Sequence, residues 1–152
     1  MKEHVAPWEC VYAKEEKSKC KPGKKPKSDQ EYFEILCLCI LQSGLNWGTV
    51  RKNWSKIKKG FYGFNIGLLS KMTAKTLLQR KGVYKNERKV NAIIVNAQEF
   101  QKILIEFGTF SNYLESLKKL EDKNAIKEFA KRFKHIGEYT AEYYLHSVGY
   151  WE

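Results

Sequence analysis

From Ser28 onward, apolar residues recur at three- and four-residue steps almost without interruption, which predicts α-helices rather than strands. Ser28 and Glu31 fit a capping box, S-x-x-E, ahead of the run Tyr32–Leu41. That run is apolar almost all round, so it predicts a central buried helix. Asn46 is placed to cap the next helix, in which Trp47, Val50, Trp54 and Ile57 share a stripe. Gly60, Gly63 and Gly67 punctuate the loop after it, Thr73 is placed to cap a short helix through Leu78, and Gly82 breaks the chain. Glu87–Phe107 is the longest helical pattern, with Val90, Ile93, Ile94, Ala97 and Leu104 on one stripe and Gly108 at its end. Phe110, Tyr113, Leu114 and Leu117 start another helix, and Ile126, Phe129 and Phe133 belong to the one after. The chain then turns tightly at Gly137, and Ala141, Tyr144, Leu145 and Val148 open a last helical face. No alternating strand pattern of useful length and no internal repeat occurs. The expected fold is an all-α domain of about eight helices with a C-terminal helix-hairpin-helix.

Residues 28–152 are read as that domain, and 1–27 as an N-terminal basic segment packed on or beside it. Trp8, Val11 and Tyr12 give the segment apolar anchors, whereas Lys14–Lys27 is charged and aperiodic. It reads either as a mobile basic loop or as a contact for a DNA backbone.

Charge narrows the class of partner. Twenty-eight Lys and Arg stand against 17 Asp and Glu, a net charge of +11, which suits a polyanion and points to nucleic acid. Cys37 and Cys39 sit in an apolar run, where cysteine acts as a small hydrophobe, and with Cys10 and Cys20 they do not make a disulfide framework. No secretory leader opens the chain, and no apolar run reaches the ~18 residues of a membrane span. The expectation is an intracellular, cytoplasmic protein associated with the nucleoid, without membrane contact.

Two segments carry candidate chemistry. The first is Phe133-Lys134-His135-Ile136-Gly137-Glu138-Tyr139-Thr140-Ala141, against the common hairpin form apolar-x-Gly-apolar-Gly-x-x-Thr/Ser-Ala. The second glycine is present and His135 replaces the first. Such a turn aims backbone N–H groups outward at a helix N-terminus, where the dipole favours a phosphate and no sequence is read. Lys134, His135, Ile136, Gly137, Tyr139 and Thr140 are the candidate phosphate-binding residues. The alternative is an ordinary helix-turn-helix corner. The second segment is Gln42-Ser43-Gly44-Leu45-Asn46-Trp47. It reads as a helix C-cap with a core aromatic, or as a loop that pushes Gly44 and Leu45 into DNA beside a base pocket. An enzyme acting on a base must extrude it, and an apolar wedge fills the space left behind.

Ser28-Asp29-x-x-Tyr32-Phe33-Glu34, Cys37-Leu38, Gln42–Trp47, Phe61-x-x-Phe64-Asn65, Arg88-Lys89-Val90-x-Ala92-Ile93-Ile94-x-Asn96-Ala97 and Phe133-Lys134-x-Ile136-Gly137 with Gly149 occur in an order that resembles the 3-methyladenine DNA glycosylase I family. The resemblance covers roughly residues 28–149. It implies a helix-hairpin-helix glycosylase that cleaves the N-glycosidic bond of N3-methylated adenine in double-stranded DNA, acting as a monomer. The methylated base is cationic, so it leaves readily, and an aromatic cage holds it by cation–π attraction. Trp47 matches the family's pocket tryptophan, and Cys39, Gln42, Tyr12 and Trp8 are the other pocket candidates. The family lacks the first hairpin glycine too.

The chain departs from this pattern in three ways. The family's glutamate that hydrogen-bonds the flipped adenine is Cys39 here, and a thiol is a weak donor and acceptor. The family closes its termini on a zinc, but this chain ends at Glu152 and no paired cysteine spacing accompanies His4, Cys10 and Cys20, so no metal and no cofactor are expected. The superfamily's catalytic aspartate has no counterpart after Asp122. Glu34 is then the catalytic candidate, and Glu138 is read as a solvated helix-start residue. His146 is read as structural or surface. The rival function is a non-catalytic protein that recognises damaged DNA on the same scaffold.

Overall fold

A computed structural model describes residues 25–43, 45 and 47–151. Among the described residues there are nine α-helices: α1 (Asp29–Gln42), α2 (Trp47–Lys52), α3 (Trp54–Gly60), α4 (Ile66–Leu69), α5 (Ala74–Leu78), α6 (Glu87–Phe107), α7 (Phe110–Leu117), α8 (Asp122–Arg132) and α9 (Glu138–Ser147). The described chain contains no strand. The single helix expected from Trp47 through Ile57 is two, α2 and α3, parted at Asn53. One further turn, α4, lies in the glycine loop, where the Asn65 side chain caps it by accepting from the Leu68 N–H. Residues 1–24, with Trp8, Tyr12, Cys10, Cys20, His4 and nearly all of the Lys14–Lys27 loop, lie outside the described residues.

The capping box holds: Ser28 Oγ accepts from the Glu31 N–H at 3.2 Å. From Tyr32 to Gln42 every residue of α1 except Glu34 is buried. The other helices close around it, with α6, α7 and α9 packed directly on α1. Asp29, in the first turn of α1, accepts from the Phe110 N–H at 2.9 Å and so ties α1 to the start of α7.

Between α1, α6, α7, α8 and α9 lies an aromatic cluster. Phe100 stacks on Phe110 with ring centroids 4.2 Å apart and meets Phe33 edge-on at 5.0 Å. Phe129 stacks on Tyr144 at 5.1 Å. The Tyr144 hydroxyl, fully buried, donates to the Tyr32 carbonyl at 2.8 Å, which satisfies the one polar atom of the ring.

Two glycines act through space rather than as punctuation. A Cβ on Gly60 would lie 2.6 Å from the Lys81 carbonyl oxygen, and one on Gly82 would lie 2.4 Å from that of Lys56. The end of α3 therefore packs backbone to backbone against the loop before α6. Nearby, Tyr62, Gly63 and Phe64 all take positive φ, at 56°, 66° and 57°. Non-glycine residues enter that region only when their surroundings hold them there. The Gln30 amide donates to the Gly63 and Phe64 carbonyls, and Phe64 stacks between Trp54 and Phe61, each at 5.2 Å.

Phe100 is fully buried in the aromatic cluster, against Phe33, Phe110 and Phe133. Phe100→Ala is expected to cost about 3–5 kcal/mol and to lower the thermal midpoint by roughly 8–15 °C, read by calorimetry.

Candidate nucleic-acid interface

The α8–α9 turn begins where α8 ends at Arg132 and Phe133 turns back into the core. Asn96 of α6, fully buried, grips the next residue from both sides. Its Oδ1 accepts from the Lys134 N–H at 2.7 Å and its Nδ2 donates to the Lys134 carbonyl at 3.0 Å. His135 follows with φ of 63°, the left-handed conformation in which glycine is the usual occupant and to which histidine is one of the better-adapted alternatives. The replaced glycine is thus a change of residue, not of backbone path. Ile136 is buried and anchors the turn.

Gly137 is the N-cap of α9, and no side chain caps that helix start. Its φ is −84°, open to any residue, and a Cβ there would meet nothing within 4 Å. The helix closes its first ring when the Ala141 N–H donates to the Gly137 carbonyl at 2.8 Å. The amides of the first turn face outward at the positive end of the helix dipole. Lys134, His135, Glu138 and Tyr139 are exposed around this mouth, Tyr139 to 62%. The imidazole of His135 is held below its ordinary pKa by burial first, then by Lys89 and Arg88.

The second segment leaves the far end of α1. Gln42 is 1% exposed and closes the helix; Ser43 caps it by donating its hydroxyl to the Ile40 carbonyl at 2.9 Å. The Leu45 N–H then donates to the Gln42 carbonyl at 3.0 Å, so the chain folds back at once. Leu36, Leu38 and Leu41 are fully buried, whereas Leu45 is 44% exposed. Gly44 and Asn46 lie outside the described residues, as does the Trp47 side chain, although its backbone opens α2.

Behind this turn, Cys39 and Gln42 are one helical turn apart on the same face of α1. Gln42 Nε2 donates to the Tyr143 hydroxyl of α9 at 3.3 Å, and its Oε1 meets no hydrogen-bond partner. Burial pushes the Cys39 thiol far above its ordinary pKa, so it is a neutral thiol at physiological pH. Glu34 lies elsewhere on α1, where Lys58 of α3 pairs with it at 2.7 Å. Glu138 is exposed, and His146 is buried in the last turn of α9. No cluster of three or more His, Cys, Asp or Glu able to hold a metal occurs among the described residues. No helix among them is long and apolar enough to cross a membrane.

Sequence reading missed one member of the site. Lys89, in the first turn of α6, is 6% exposed, and its ammonium donates to the Ser43 carbonyl at 2.6 Å and the Leu41 carbonyl at 3.2 Å. The structure therefore brings together the Ser43–Leu45 turn, the start of α6 and the α8–α9 turn. The model of the Methyladenine glycosylase family matches residues 20–149. The chain belongs to that family.

The DNA-3-methyladenine glycosylase of Haemophilus influenzae is 28% identical over 149 residues, covering 84% of this chain and 80% of its own. DNA-3-methyladenine glycosylase 1 of Escherichia coli is 30% identical over 79 residues, 49% of this chain and 42% of its own. A single-site variant of 3-methyladenine DNA glycosylase I from Staphylococcus aureus superposes with a TM-score of 0.74 at 22% identity, covering 86% and 82% of the two chains. A 3-methyladenine DNA glycosylase I solved with 3-methyladenine gives a TM-score of 0.73, also at 22% identity, over 86% of this chain and 82% of that one. At such identities these structures establish the shared all-α fold.

Cys39 is 2% exposed, so a charge placed there loses its hydration. Cys39→Ala is expected to leave the thermal midpoint near wild type. Cys39→Glu adds a pH-independent overpacking cost and buries a carboxyl whose folded pKa is raised, so a further cost appears as pH rises above about 4 and reaches about 3 kcal/mol at pH 8. Thermal melts across that pH range check the pair.

Proposed function

We propose that this protein is a monofunctional DNA N-glycosylase that extrudes an alkylated purine such as 3-methyladenine from double-stranded DNA and hydrolyses its bond to the sugar. The observation that carries the reading is Leu45, an exposed leucine on a tight turn at the buried end of α1, in a chain of the methyladenine glycosylase family. A phosphate-binding module by itself has no use for such a wedge.

In this reading the outward amides of Gly137–Thr140 and the flanking Lys134 and His135 hold one DNA strand by its phosphates. Leu45, with Gly44, fills the gap in the stack, and the extruded base lies on Trp47 in a pocket backed by Cys39 and Gln42. The positive charge of the alkylated ring favours an aromatic face and makes the base a good leaving group. Water adds at the sugar C1′, the bond to the base nitrogen breaks, and its electron pair leaves with the base. The water gives up a proton to solvent. A strong general base has little to add to that step. Accordingly Glu34, the candidate on the central helix, serves structure through its pairing with Lys58. The protein acts as a monomer on damaged duplex in the nucleoid.

A second reading, a non-catalytic protein that binds damaged DNA, draws support from Cys39. A neutral thiol does not supply the charged acceptor of the family's glutamate, so selectivity for adenine rests on shape and stacking.

Single-turnover base release from heavily methylated DNA, with the freed base identified by chromatography, tests the two. Wild type is expected to release 3-methyladenine, and Trp47→Ala to lose that release by about 100-fold or more. Undetectable release by wild type across a panel of alkylated and deaminated bases, with binding to an abasic duplex intact, would establish the non-catalytic reading instead. Binding is expected to weaken with salt, the log–log slope being about −0.9 per phosphate contacted. Gly137→Ala is expected to fold normally, because its Cβ meets nothing, yet to bind the duplex about 5-fold more weakly, because the methyl stands before the amides.

A further inference from the structure

Lys89 stands in a place that two physical rules oppose. A cation in the first turn of a helix is disfavoured by the dipole, and Lys89 is in the first turn of α6, where its own N–H donates to the Asn86 cap at 3.1 Å. A buried ammonium also loses its hydration, and burial lowers the pKa of this one. Both penalties are met by another helix. The ammonium reaches the C-terminal end of α1, where the last turn carries no basic residue of its own, and donates to the Leu41 and Ser43 carbonyls. Ser43 is already a cap for α1, so mere helix termination does not require a buried lysine. What the lysine adds is a charge-assisted tie across the base of the turn that presents Leu45.

The same helix carries the other tie. Asn96 lies seven residues after Lys89, two turns along one face of α6, and grips both backbone atoms of Lys134 in the α8–α9 turn. Along a straight helix that spacing is about 10 Å, and it does not stretch. His135, next to the gripped Lys134, is near enough to Lys89 for that charge to help hold its imidazole below the ordinary pKa.

We infer that Lys89 is a positioning residue: with Asn96 it makes α6 a rigid spacer that holds the Leu45 turn at a fixed distance from the α8–α9 turn, so that phosphate grip and wedge insertion act on the same nucleotide. The inference rests on the wedge-and-grip geometry proposed above, but its test does not depend on base release.

The probe is a duplex with a tetrahydrofuran abasic analogue opposite 2-aminopurine. Anisotropy reads the grip, and 2-aminopurine fluorescence reads insertion of the wedge. Lys89→Met is expected to bind within about 3-fold of wild type while losing most of the fluorescence change, because the phosphate contacts stay and the wedge loses its register. Leu45→Ala should give the same fluorescence loss, and the double variant should lose no more than either single one. Ile103→Ala, a core change on α6 far along the helix from this turn, controls for lost stability and should keep the wild-type fluorescence change. Should Lys89→Met not fold, Lys89→Gln carries the same expectation. A wild-type fluorescence change in the folded Lys89 variant overturns the inference. So does a loss matched by Ile103→Ala, or one additive with Leu45→Ala. A wild type that binds and inserts but releases no base would overturn the glycosylase reading and leave the role of Lys89 standing. On methylated DNA, the Lys89 variant is expected to show a single-turnover rate at saturating enzyme about 10- to 100-fold lower, with half-saturation little changed.

Discussion

A 14-residue helix that is apolar on nearly every face can persist in water only if other helices close around it. The burial of α1 is the constraint on which the rest of this molecule depends. It calls for walls on all sides, and α6, α7 and α9 supply them, cemented by the aromatic cluster about Phe100 and Phe110. It also dictates what happens at the end of the helix. Once Gln42 is buried, the chain must leave the core abruptly, and it does so through the Ser43–Leu45 turn, which puts a leucine into solvent immediately after a run of buried ones. The exposed leucine proposed above as the wedge is therefore a consequence of how the core is finished.

The second organising element is α6. Its apolar stripe joins the core, while Lys89 and Asn96 fasten the turns on either side. Both are buried polar groups with their hydrogen bonds made to backbone, which is how polar side chains fix loop geometry without weakening a core. The neutral Cys39 and the ion-paired Glu34 sit on α1 between these turns and its start. The chemistry proposed for the site asks little of either. A cationic base is ready to leave, and the protein's work is to take it out of the stack and hold it.

Much of this was legible along the chain. The Ser28–Glu31 box, the all-round apolar run of α1, the long stripe of α6 and the glycine after Phe107 are local signals, written in residue type and spacing, and they hold in the structure. So do the helical character of the whole domain and the family to which it belongs. The break at Asn53 and the extra turn of α4 were not legible, because an interrupted stripe and a capped single turn look alike without the surfaces they pack on. Nor was the left-handed backbone at Tyr62, Phe64 and His135, where neighbours rather than intrinsic preference select the conformation.

What the sequence determined by itself is thus the helical character of the domain, its long helices and their buried faces, the strong positive charge and the order of motifs that marks the family. Periodicity and capping act over three or four residues, and charge is a sum, so neither needs a fold to be read. Only the tertiary structure decided which lysine among many is buried, that Asn96 holds Lys134, that Gln42 meets Tyr143, and that Glu34 is neutralised by Lys58. Apart from the Glu34–Lys58 pair, those contacts join residues 38 to 101 positions apart. A pairing across such a distance is fixed by how helices pack, and packing depends on every side chain in the core at once.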